Sequence, residues 1–133
     1  MSSFAKTATP WLHSVLRIVT AFLFMAHGTQ KLFAWPVSQP RNPVELFSLF
    51  GAAGVLETFG GALLLVGLFT RPVAFVLSGQ MAFAYFTRHA ARDFWPILNG
   101  GENAALFCFV FLYLAAAGAG PLSVDASRRG RRA

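Results

Sequence analysis

Apolar residues dominate the chain in long blocks, and the blocks are separated by short stretches rich in Pro, Gly, Arg and Trp. The first block covers about residues 12–33, the second about 50–69, the third about 72–88 and the fourth about 102–119. Crossing the hydrocarbon core of a bilayer takes about 20 apolar residues in a helix. The pattern therefore predicts an all-α integral membrane four-helix bundle in one domain, residues 1–133. Thr9-Pro10 reads as a helix start, because a proline in the first turn gives up an N–H that has no partner there. Pro36 and Pro40 close the first block, and the loop after them carries Arg41-Asn42-Pro43 and an apolar piece over 44–49 that suits a short interfacial helix. Thr70-Arg71-Pro72 reads as a tight turn before the third helix, and Gly118-Ala119-Gly120-Pro121 stops the fourth.

Composition agrees. Of 133 residues, 56% are hydrophobic and 12% charged, with 15 Phe; a soluble domain carries about 25% charged residues. The net charge of +6 is uneven, since Arg128, Arg129, Arg131 and Arg132 crowd the C-terminal tail, residues 122–133. Four spans place both termini on one side. That side holds Lys6, Arg71 and the four tail arginines against Lys31, Arg41, Arg88 and Arg92 on the other. The bias predicts an N-in/C-in topology with a basic cytoplasmic tail. The tail suits anionic lipid at about 1 kcal/mol per Arg; no nucleic-acid-binding element accompanies it. Trp11, Trp35 and Trp95 fall at the expected interfaces, and Arg17, about one and a half turns inside the inner end of the first helix, is expected to snorkel to the headgroups. Cys108 is the only cysteine, so a dithiol mechanism is excluded.

Glu57 interrupts the second block. A carboxylate there costs about 2.5–3.5 kcal/mol on insertion scales unless it is paired or faces a polar cavity. His27 and Lys31 lie four apart on one helical face in the outer part of the first helix. At about 1.5 Å per residue, His27 and Glu57 sit at similar depths, so a His27–Glu57 or a Lys31–Glu57 contact is expected. Gln30 adjoins them. Met81, Tyr85 and His89 are spaced by four and bring a phenol and an imidazole toward the same outer region, where Asn99 lies in the polar loop and Glu102 begins the fourth helix. Gln80, in the middle of the third block, needs a partner. Small residues around Glu57, including Ala53, Gly60 and Gly61, permit close helix packing, and Ser78-Gly79 is expected to do the same in the third helix. Each polar residue also has an ordinary reading: a first-turn acid at Glu102, a loop histidine at His89, a snorkelling lysine at Lys31, a structural ion pair at Glu57. The matching depths favour an outer polar pocket, with Glu57 and His27 as candidate proton-handling groups and Lys31, Gln30, Tyr85, His89, Asn99 and Glu102 as candidate ligand-binding groups.

Several motifs stand in order: His27-Gly28-Thr29-Gln30-Lys31-Leu32-Phe33; Glu57-Thr58-Phe59-Gly60-Gly61-Ala62; Gly67-Leu68-Phe69-Thr70-Arg71; Met81-Ala82-Phe83-Ala84-Tyr85-Phe86 followed by His89; Phe94-Trp95-Pro96; Asn99-Gly100-Gly101-Glu102; and Gly118-Ala119-Gly120-Pro121-Leu122-Ser123-Val124-Asp125. With them the chain resembles the DoxX family of small bacterial membrane proteins, near the DoxD-like and MauE/DoxX redox group, over about residues 14–126. The resemblance implies a multi-pass protein of the bacterial inner membrane tied to redox metabolism: DoxD-like relatives are associated with a thiosulfate:quinone oxidoreductase, and others with complexes handling thiol or oxidative stress. Family membership speaks to fold more strongly than to activity.

The expected function is a membrane subunit of a redox complex whose pocket takes a quinone. No haem, flavin or metal ligand set is apparent in the sequence, so electrons would come from partner subunits or directly from a donor. Two alternatives stand beside it: a non-catalytic anchor or assembly subunit, and a small-solute or proton transporter working as a homo-oligomer.

Overall fold

A computed structural model describes residues 3–36 and 42–131. The expected positions of Pro40, Arg41 and Arg132 lie outside the described residues. All regular structure among the described residues is helical: α1 (Ser3–Phe33), α2 (Leu49–Val66), α3 (Thr70–Ala84, continued by a π-helical turn, Tyr85–His89), α4 (Pro96–Asn99), α5 (Glu102–Ala117) and α6 (Val124–Gly130).

The boundaries differ from the sequence reading in ways that have local causes. Pro10 lies inside α1 instead of opening it, and the helix begins at Ser3. The expected interfacial helix over 44–49 does not form; 46–48 make a turn, Leu49 already opens α2, and Ser48 caps α2 by accepting the Gly51 N–H at 3.0 Å. α2 ends a turn earlier than the apolar block. Gly67 takes φ +70°, Leu68 N–H reaches back to the Leu63 carbonyl at 2.9 Å and Gly67 N–H to Leu64 at 3.2 Å, so the terminal carbonyls are satisfied by a left-handed cap.

α1 packs along α2, and α3 packs along α5. Between the two pairs lies a core of Phe24, Leu64, Leu77, Phe111 and Leu114, with Phe24 edge-on to Phe111 at a centroid distance of 4.7 Å. Glycines set the spacing as the small-residue pattern predicts: a Cβ on Gly61 would lie 2.9 Å from Met25 Cβ, and one on Gly60 2.9 Å from Leu77 Cδ2. Gly79 is the exception; it is exposed and a Cβ there would meet nothing within 4 Å. Its neighbour Ser78 makes the α3–α5 tie, donating to the Cys108 carbonyl at 2.8 Å.

Large apolar side chains also cover the outside. Phe22, Phe59, Phe75, Phe83, Leu106 and Phe109 all project outward and are more than half exposed. A water-soluble monomer rarely carries an apolar surface so extensive. α1 and α2 are both long and apolar enough to cross a bilayer.

The end of the molecule that carries both termini is locked by a polar network. Arg17 does not snorkel. It is 0% exposed, and its guanidinium donates to Ala119 O at 2.8 Å, to Leu65 O at 2.8 Å, and to the carbonyls of Leu64 and Leu122. The reason is the end of α2, where the left-handed cap takes the Leu63 and Leu64 carbonyls but not that of Leu65, and where the helix dipole is negative. Arg71 does the same for α5 through the carbonyls of Ala115 and Ala116. Asp125 turns the tail into part of the fold: its two oxygens accept the N–H groups of Phe69 and Thr70 at 3.0 and 2.9 Å, capping α3. Burial works against ionisation of Asp125, but the Thr70 N–H, the Thr70 hydroxyl, the Phe69 N–H and the nearby Arg129 outweigh it and hold the carboxyl below the usual carboxylate range.

Candidate functional site

Gly28 decides how the site is assembled. It lies three residues before Lys31, and a Cβ there would come within 2.5 Å of the Thr58 backbone nitrogen and 2.8 Å of Glu57 Cβ. α1 therefore touches the backbone of α2 where α2 carries Glu57. At the same place α2 widens into a π-helical turn, Leu56–Gly60. Such single-turn widenings shift the facing of a side chain and recur at functional sites.

The result is a buried carboxylate tied to two other helices. Glu57 is 2% exposed. Its Oε2 lies 2.5 Å from Lys31 Nζ on α1, and its Oε1 accepts from Gln80 Nε2 on α3 at 3.0 Å. Lys31 lies in the last turn of α1, where a cation suits the helix dipole. Gln80 turns its amide nitrogen to the acid, which leaves its Oε1 buried without a hydrogen-bond partner. An unpaired buried amide oxygen is costly, about 1–3 kcal/mol, so it marks a place where a donor from a ligand would be gained.

Two cavities meet at this ion pair. One, of about 400 Å³, is walled mostly by apolar side chains of α2 and α3, among them Phe50, Leu56, Val76 and Phe83, and holds Lys31, Glu57 and Gln80 at its polar end. The other, of about 320 Å³, lies between α1, α3 and α5 and is lined by His27, His89, Arg88, Arg92, Asn103 and Phe107 as well as Lys31 and Glu57. Arg88 borders both, its guanidinium 4.2 Å above the Phe50 ring. Lys31 and the two arginines against one carboxylate make the second cavity cationic.

The residues nominated from the sequence divide into two groups. Lys31, Glu57, His27 and His89 share the second cavity. Within it Lys31 takes the carboxylate; His27 instead meets Phe107 of α5 edge-on at 6.0 Å and is exposed. Gln30, Tyr85, Asn99 and Glu102 line neither cavity. Gln30 donates to the Pro36 carbonyl at 3.0 Å, holding the loop after α1. Asn99 is 2% exposed and organises the turn into α5: its Nδ2 donates to Asp93 O at 2.9 Å and to Tyr85 Oη at 3.4 Å, and its Oδ1 accepts Gly101 N–H at 2.7 Å. It also steadies the site, because its carbonyl lies 3.0 Å from His89 Nδ1. A carbonyl only accepts, so Nδ1 carries the hydrogen and Nε2 is left as the basic nitrogen of that ring. Glu102 is exposed in the first turn of α5.

Gln80, Arg88, Arg92 and Asn103 are the residues that sequence reasoning did not assign to the pocket. Gln80 carried a signal, a lone amide in an apolar block; Arg88 and Arg92 entered only as charges on one side of the bundle, and the π-helical turn at Tyr85–His89 carries Arg88, whose guanidinium lies over Phe50 of α2.

A DoxX family model matches residues 12–90, more than half of the chain and the whole stretch that carries His27, Lys31, Glu57, Gln80 and His89. The chain belongs to the DoxX family. A protein of Haemophilus influenzae, described as an uncharacterized protein, is 44% identical over 120 residues, covering 87% of this chain and 90% of its own length. No solved structure matches. This DoxX protein is thus a small membrane protein, in agreement with its apolar surface. Among its described residues no group of three or more His, Cys, Asp or Glu side chains is placed to hold a metal ion.

Proposed function

We propose that this DoxX protein is a multi-pass protein of the bacterial inner membrane, in which α1, α2, α3 and α5 all cross the bilayer, N-in/C-in, and that it serves a redox complex as the subunit that binds a quinone headgroup. The observation that carries this reading is the polar end of the apolar cavity, where Lys31 Nζ, the Glu57 carboxylate and the unpartnered Gln80 Oε1 stand together. With its π-helical turn, α3 is about 30 Å long at about 1.5 Å per residue, which suits a crossing. The outward phenylalanines of α3 and α5 support the same topology.

A quinone supplies two ring oxygens that take up electrons and protons. The chain's residues fit such a group: the cavity offers apolar walls for a ring and tail, a cation at Lys31 for an oxygen acceptor, and an acceptor at Gln80 Oε1 for a hydroxyl. Glu57 holds Lys31 in place and keeps a titratable oxygen pair beside the ligand. His27 and the free Nε2 of His89 in the adjoining cavity provide proton-accepting groups between Glu57 and the outer face. Electron delivery falls to partner subunits or to a donor that reacts with the quinone directly.

The test is binding of a short-chain benzoquinone, and quinone-linked turnover of the native complex, in Glu57→Gln and His27→Ala. Both variants are expected to fold and to lose binding or turnover; wild-type values in both would sink the proposal. A second reading has its own support in the fully engaged Glu57 oxygens, which tie three helices together: a non-catalytic anchor for a redox complex. It predicts that Glu57→Gln lowers the yield of assembled complex while turnover per assembled complex stays unchanged.

A further inference from the structure

At the end opposite the quinone cavity, a cleft of about 360 Å³ opens between the α2–α3 turn, the segment after α5, and α6. Arg71, Arg128 and Arg129 line it, with Asp125 as its one acid. Asp125 is already committed, since both its oxygens accept α3 amides. The helix end is therefore capped, and the remaining charge of the cleft is a surplus of guanidinium. Arg128 is positioned by stacking 5.6 Å from the Phe69 ring centroid. Arg71 spends one nitrogen on the α5 carbonyls, which fixes its fork at the cleft wall. Thr70 also lines the cleft; it is 1% exposed, and its hydroxyl is turned to Asp125.

We infer that this cleft is a specific phosphate site, formed only when the tail helix α6 docks against the α2–α3 turn, and that its physiological occupant is an anionic phospholipid headgroup. Guanidinium forks lining one cleft are the donors that a phosphate's oxygens take, and planar bidentate pairing makes Arg the residue suited to it. The rim supports the lipid source: Phe69 is more than half exposed and Pro72 adjoins it, so acyl chains leaving the headgroup meet apolar side chains. The site goes beyond diffuse attraction of a basic tail, because Arg71 comes from a different part of the chain, more than fifty residues before the tail. It shares no residue with the quinone cavity, so the two proposals stand or fall separately.

The experiment uses the full chain in detergent micelles doped with phosphatidylglycerol or with phosphatidylcholine, and in a second arm with inorganic phosphate alone, reading the species retained by native mass spectrometry. Arg128→Gln/Arg129→Gln is compared with Lys6→Gln/Arg131→Gln, a pair that removes the same charge from the same end but outside the cleft. Saturable retention of one phosphatidylglycerol, weakened about tenfold or more by the cleft pair and little by the control pair, is the expected result. Retention of inorganic phosphate with the same variant pattern, and without lipid preference, would keep the phosphate site and overturn its lipid occupant. Equal losses in the two pairs, or no retention in either arm, overturn the site.

Discussion

Lys31 and Glu57 form one ion pair, but the two residues are not equivalent, and their substitutions separate them. The side chain of Glu57 is 3% exposed and that of Lys31 27%. In Lys31→Met the volume is nearly kept while a buried carboxylate loses its cation. Breaking a buried pair in this direction costs about 3–5 kcal/mol. In Glu57→Gln the surviving lysine still has a route to water or headgroups along its partly exposed stem, and the new amide can keep a bond to Gln80. The loss is then near that of one hydrogen bond, about 1 kcal/mol. Lys31→Met/Glu57→Gln strands no charge and is expected to lie close to Glu57→Gln, so the cycle yields a coupling of about 3–5 kcal/mol. Denaturant unfolding of the four proteins in one detergent, followed by helical circular dichroism, measures all the terms. If Glu57→Gln proves as damaging as Lys31→Met, or the double variant is as unstable as the sum of the singles, the asymmetry argument is wrong.

Two further outcomes follow from other parts of the fold. Gly28→Ala pushes a methyl group into the Thr58 backbone; it is expected to cost about 1–3 kcal/mol and to weaken benzoquinone binding by moving Lys31 from Glu57, and unaltered binding with unaltered stability would show that the helices can separate there freely. Asp125, whose carboxyl is held below its usual value of 3.8, adds stability that is fully present above that pH and disappears as pH falls through the lower folded value; Asp125→Asn is expected to flatten this acid limb in a pH series of unfolding measurements, and an unchanged limb would remove Asp125 from the lock.

Several features were legible in the sequence because they depend on local pattern. Apolar block length forecast helices and a membrane setting. An isolated Glu57 inside such a block had to be compensated, and equal depth on antiparallel helices narrowed its partners to His27 or Lys31. The choice between them was not legible. It depends on the rotation of α1 about its axis, which Gly28 sets by contact with Thr58, and on the π-helical turn that shifts Glu57. Arg17 was misread for a similar reason. From the sequence it is a long cation within reach of the headgroups; in the fold, the carbonyls of Leu64, Leu65, Ala119 and Leu122 converge on it from segments far along the chain. Tyr85 and Asn99 stand beside each other in the expected region but line neither cavity, because a turn ending in Gly100 with φ +71° directs Asn99 inward to its own loop.

The sequence by itself determined the solvent of this protein and the composition of its parts: blocks long enough for lipid, basic residues gathered toward one end, and one acid that burial would not tolerate alone. Tertiary structure decided which polar groups meet. Helical periodicity states what shares a face, but azimuth and register between helices come from van der Waals contact at small residues, from π-helical turns and from caps closed by distant segments. Those contacts gave Glu57 to Lys31 and Gln80, and gave Arg17 to the end of α2.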